Sequence, residues 1–142
     1  NGRREKRRRK GRRLIMAGIK PHNVIRIPSN LDSIFRYWLS FLSPFHHLTE
    51  REEDVAAAFL KERYKLSKVV LDDELLDRML MSEETQSKLR EECSLNNQHF
   101  QVIKSKLKQK KFLVDGKINP RLIPNLKEDS NTFQLLLLFD LK

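Results

Sequence analysis

From Thr49 onward the hydrophobic pattern changes period once, at residue 112. From Thr49 to Lys111 apolar residues recur at helical spacing. Two short apolar runs follow, Phe112-Leu113-Val114 and Lys117-Ile118, with Asp115-Gly116 between them. Asp-Gly in that place is a strong hairpin signal, because a two-residue turn that matches strand twist needs positive φ at both central positions. From Thr49 on, helices therefore come first and a small antiparallel sheet follows them.

The helical part has legible punctuation. Thr49-Glu50-Arg51-Glu52 is a capping box, in which the Thr hydroxyl accepts a backbone N–H and Glu52 reaches back. Val55, Ala56, Phe59, Leu60 and Tyr64 continue that helix to about residue 67. Asp72-Asp73-Glu74 opens a short helix to Leu80, since acids suit a helix N-terminus. Ser82 caps a helix over residues 83–92, residues 93–96 form a turn, and Asn96 or Asn97 caps a helix to about Lys111. Upstream, residues 23–28 alternate with β-branched side chains and predict a strand. Ser29 or Asn30 then caps an aromatic helix to Ser43, where Pro44 stops it. Residues 132–141 predict a last strand with leucines on both faces, and Leu137 is expected to be buried.

The chain has 142 residues, enough for one domain. Residues 16–142 are expected to form it, with residues 23–47 as the N-terminal strand and helix and 48–142 as the main body. No apolar run reaches the ~18–20 residues that span a bilayer, so no membrane partner is expected. Cys93 is the single cysteine, which excludes an internal disulfide and a Cys-based zinc site. The chain reads as soluble and intracellular.

Charge is unevenly placed. Residues 1–13 hold nine basic residues against Glu5, and residues 94–127 hold eight against Asp115. Residues 14–93 hold 11 basic and 14 acidic residues. A neutral or acidic body with two basic zones is the pattern of a chain that docks on a polyanion. Two origins stay open for the arm of residues 1–15. It is either native or an over-extended reading of the gene, with Met16-Ala17-Gly18 as the natural start. Removing the +8 of residues 1–13 from +10 leaves +2.

From Thr49 the order is helix, short helix, helix, turn, helix, hairpin, strand. The expected fold is mostly α with a small antiparallel β-sheet. More finely, it is a winged helix-turn-helix with an extra N-terminal strand and an aromatic-rich helix. Residues 83–92 would be the support helix, 97–111 the recognition helix and 112–118 the wing. With Phe100, Ile103 and Leu107 inward, Asn97, Gln98, Gln101, Lys104, Ser105 and Lys108 face outward. Asn and Gln suit adenine, and Lys suits guanine or phosphate. Lys106, Lys110, Lys111, Lys117 and Arg121 flank this face for phosphate contacts.

The pattern Ser82-Glu83-Glu84-Thr85-x-x-Lys88-Leu89, then Ser94-Leu95-x4-Phe100-x6-Leu107, resembles helix-turn-helix segments of phage and bacterial regulators. Leu48-Thr49-Glu50-Arg51-Glu52 resembles the opening of the DNA-binding region in response regulators and sigma factors. In overall style the chain is similar to small proteins of large crAss-like bacteriophages. It departs from those families in the insertion of residues 69–81 and in having no Gly in the turn. The resemblance implies a double-stranded DNA partner and sequence-specific control of transcription or replication in a bacterial host cytoplasm. The alternative is a virion or assembly protein that uses the same fold for protein contacts.

Other constellations are weaker. Phe35, Tyr37, Trp38, Phe41 and Phe45 form an aromatic stripe that serves as core or as a homodimer seam. His46-His47 lacks a third ligand at useful spacing and reads as a connector. Asp72, Asp73, Glu74 and Asp77 read as an acidic helix start. Asp115 and Lys117 read as hairpin. No glycine-rich phosphate loop and no Ser/His/Asp or Cys/His set occurs, so no enzyme, cofactor or metal is expected.

Overall fold

A computed structural model describes residues 24–126 and 131–142. The basic arm 1–15, Met16 and residues 127–130 lie outside the described residues. The chain divides into two units. One is Ser29–Asn125, and the other comprises the described residues of Asn1–Pro28 and Leu126–Lys142.

In the larger unit, Asn30 Oδ1 accepts the N–H groups of Asp32 and Ser33, each at 3.0 Å. This side chain competes with the backbone for donors. A turn therefore precedes the aromatic helix α1, Ile34–Phe41, which starts later than the sequence predicts. Pro44 does not simply end it. Pro44 lies in the first turn of a separate short helix α2, Ser43–His46, where its missing N–H costs nothing.

The capping box forms as expected. Thr49 Oγ1 accepts the Glu52 N–H at 3.3 Å, and Glu52 Oε1 accepts the Thr49 N–H at 3.1 Å. It starts the long helix α3, Glu50–Ser67. Then come α4, Asp73–Leu80, α5, Glu83–Glu92, and α6, Asn97–Gln109. Helix α3 is the hub, and α1, α4, α5 and α6 all pack on it. Its Val55, Ala56, Phe59 and Leu60 are buried with Leu76 and Leu80 of α4, Leu89 of α5 and Leu107 of α6. Phe59 stacks on Phe100 of α6 at 6.4 Å and meets Phe112 edge-on at 6.5 Å. Aromatic side chains bury large apolar areas, so this trio fixes how α6 lies against α3.

Strands β1, Leu113–Val114, and β2, Lys117–Ile118, pair antiparallel with Leu113 opposite Ile118 and Val114 opposite Lys117. Asp115 and Gly116 have φ of 55° and 74°, the positive pair that the Asp-Gly signal predicts. The Asn119 N–H donates to the Phe112 carbonyl at 2.8 Å, after which Pro120 opens a 3-10 turn, Pro120–Leu122. Trp38 Nε1 donates to the Leu122 carbonyl at 2.9 Å, which ties that turn to α1.

Among the described residues the architecture is six α-helices and one two-stranded antiparallel sheet. Among the described residues, neither 24–28 nor 132–141 forms the expected flanking strand. Residues 24–28 are exposed, and residues 132–141 belong to no sheet. Leu137 is half-buried rather than buried, and Leu138 and Phe139 are 73% and 80% exposed. Strand propensity describes fitness for a pleated, half-buried surface and supplies no partner for the backbone groups. No helix among the described residues is long and apolar enough to cross a membrane.

Candidate nucleic-acid interface

The turn that carries α6 has a defined geometry without glycine. The Leu95 N–H donates to the Arg90 carbonyl at 3.1 Å and the Ser94 N–H to the Glu91 carbonyl at 3.0 Å. Ser94 has φ 54°. This is a Schellman motif in which Ser94 holds the left-handed position that families with a glycine turn give to Gly. Asn96 Oδ1 then accepts the His99 N–H at 2.8 Å and caps α6. The far end repeats the device. The Phe112 N–H donates to the Leu107 carbonyl at 2.9 Å and the Lys111 N–H to the Lys108 carbonyl at 3.2 Å, with Lys111 at φ 67°. Leu107 and Phe112 are both fully buried, which supplies the apolar contact of that motif.

Between these ends α6 presents one face to solvent. Phe100 and Leu107 are buried in the core, and Ile103, expected inward, is only half-buried. Asn97, Gln98, Gln101, Ser105, Lys106, Lys108 and Lys111 are exposed. No acidic residue occurs in α6. Arg121 is exposed on the 3-10 turn, and Lys117 is half-buried on β2.

Two lysines of this set are less free than their sequence positions imply. Lys110 Nζ donates to Glu52 Oε1 at 2.6 Å and to the His47 carbonyl at 2.9 Å. It ties the end of α6 to the start of α3. For Glu52 burial opposes ionisation, but the bonds from Lys110 and Thr49 outweigh it and hold the carboxyl below its usual range. Lys104 lies half-buried across Phe100, its Nζ 5.8 Å from the ring centroid. Burial, and then repulsion from Lys108, pull its ammonium below the usual lysine value. Asn97 Oδ1 lies 3.5 Å from both Arg90 and Gln101 donors, at the limit of a hydrogen bond.

The exposed residues His99, Val102 and Gln109 of α6 are missing from the sequence reading, and Val102 is the one apolar residue among them. Val102 is 53% exposed in the middle of α6. The signal for it was its position four residues after Gln98, away from Phe100 and Leu107.

Elsewhere, His46 and the cations of one cleft are partnered within the fold. His46 is buried, with Nε2 donating to the Leu39 carbonyl at 2.6 Å and Nδ1 accepting the Leu48 N–H at 2.9 Å. It sits in the connector as expected, buried, and joins the end of α1 to the segment before α3. A cleft of about 560 Å³ lies between α1, α3 and the end of α5. Its cations are held by acids, Arg36 by Asp54 at 2.8 Å and Lys61 by Asp32. Its Cys93 thiol is pushed up by burial and by Glu92. Such a thiol is a poor nucleophile. No group of three or more His, Cys, Asp or Glu among the described residues could hold a metal ion. Comparison with known protein families, curated proteins and solved structures finds no match to this chain.

Proposed function

We propose that the protein binds double-stranded DNA sequence-specifically as a winged helix-turn-helix. In this reading α3 is the scaffold, α5 the support helix, α6 the recognition helix and the β1–β2 hairpin a short wing. Control of transcription or replication is the expected role, in keeping with the resemblance to phage and bacterial regulators. One observation carries the reading. The exposed face of α6 bears amides and lysines with no acid on that helix, at the end of a body that is otherwise neutral to acidic. Lys106, Lys108 and Lys111 are free to meet phosphates, with Lys117 and Arg121 alongside. Phosphate contacts position such a helix, and amide side chains reach base edges.

A salt titration tests it. A protein that neutralises about six phosphates should lose affinity for duplex DNA with a log–log slope near −5. No measurable duplex affinity at low salt would exclude the reading.

A second reading draws on a different surface. Tyr37, Phe41 and Phe45 remain exposed on α1 and α2, Phe45 by 71%. Exposed aromatics in one patch mark protein contacts. They support the homodimer seam, or a virion or assembly partner. Sedimentation of the parent and of Phe45→Ser separates these outcomes. A parent dimer that the substitution dissociates supports the seam.

A further inference from the structure

The solvent face of α6 has a zoned composition that bears on what it reads. Gln98, Gln101, Val102 and Ser105 recur at i, i+3, i+4 and i+7, so they form one stripe down the helix. All four are exposed. The stripe carries no charge. Exposed lysines border it instead, Lys108 on the side of Gln101 and Lys106 on the side of Val102. A helix entering a major groove meets base edges along its middle line and phosphates along its two margins. The first half of α6 holds no Lys or Arg, and the first lysine of the helix, Lys104, lies half-buried over Phe100.

Resting on the DNA-binding reading, we infer that this stripe selects A·T pairs at consecutive positions of its site. Gln98 and Gln101 pair bidentately with adenine N6 and N7, and Val102 packs on the 5-methyl group of a neighbouring thymine. Amides match the donor and acceptor pattern of adenine, and among the base edges of the major groove only thymine offers a methyl group. An exposed valine among polar side chains gains nothing from water and gains from that methyl. Ser105 accommodates either base and adds no preference.

The test uses the whole chain and a randomised duplex pool. The expected selection is a core of adjacent A·T pairs. Replacing the contacted thymine by uracil removes only the methyl group and should weaken binding about fourfold. Val102→Ala should abolish that uracil effect. Because Val102 is exposed, its truncation should leave the melting curve in place. Gln98→Ala or Gln101→Ala should relax the preference at one adenine by roughly 5- to 150-fold. Selection of a G·C core, or a uracil effect that is absent in the parent or persists in Val102→Ala, overturns the inference while DNA binding stands. Failure to bind any duplex overturns both.

Discussion

Lys108 and Lys110 lie two residues apart near the end of α6, and their surroundings assign them opposite roles. Lys110 donates to Glu52 and to the His47 carbonyl, while Lys108 is exposed. Lys110→Ala removes a charge-assisted bond, a type worth about 1.5–3 kcal/mol. Glu52 keeps the Thr49 N–H, and the His47 carbonyl can be hydrated, so the loss should be about 2 kcal/mol. For a unit of this size that lowers Tm by roughly 8–16 °C. Below its own transition the Lys110→Ala protein should keep the parent's salt slope for duplex binding. Lys108→Ala should do the reverse. Its stability should stay within about 0.5 kcal/mol of the parent. Its salt slope should flatten by about 0.9, the share of one phosphate. Urea denaturation and a salt titration on both proteins decide the matter. If Lys110→Ala flattens the slope and leaves stability untouched, its ammonium serves phosphate and the internal tie is not what holds it.

Ser94→Gly should stabilise the protein by about 0.5–1 kcal/mol, because Gly occupies the left-handed position of the Schellman turn without the cost borne by a Cβ, less its own entropy; denaturation midpoints read this, and a loss of stability would show that the serine hydroxyl holds the turn. Lys111→Gly should likewise raise stability yet weaken duplex binding, a combination that general unfolding cannot produce, and parallel melts and binding isotherms check it. Phe59→Ala should cost about 3–5 kcal/mol, because its ring is fully buried between Phe100 and Phe112, and a denaturation midpoint near the parent's would contradict that packing. Glu52 has a carboxyl pKa depressed below its ordinary 4.5, so its contribution is complete above that value and is lost as pH falls through the lower folded value. Acid denaturation of Glu52→Gln should therefore show a shallower fall below about pH 4.5 than the parent.

Most of the helical fold was legible because its signals are local. Thr49 and Glu52 cap one another within four residues, Ser82 and Asn96 each start a helix with their own side chain, and Asp115-Gly116 dictates its turn by φ alone. The flanking strands failed because a strand is not a local object. Residues 24–28 and 132–141 have the right residue types, but residue type alone does not specify which second strand would pair with them. The same distinction runs through the candidate site. The outward positions of Gln98, Gln101 and Ser105 follow from helical period. That Lys110 is spent on Glu52, and Lys104 on Phe100, depends on what α3 and the α6 core bring near, and no spacing within residues 97–111 reveals it.

The division among the lysines also explains why the capping box matters beyond starting a helix. Glu52 is almost wholly buried and accepts from Thr49 at the head of α3 and from Lys110 at the tail of α6. The opposite end of α6 is set by the Ser94 turn, and its middle by Phe100 on Phe59. Three independent constraints thus fix the helix along its length, about its axis and at both termini. Under the proposed DNA-binding role such anchoring serves base readout, since a base-edge hydrogen bond weakens steeply once its geometry drifts. The uncharged stripe of Gln98, Gln101, Val102 and Ser105 takes no part in these ties, so its side chains are exposed on a helix anchored at both ends.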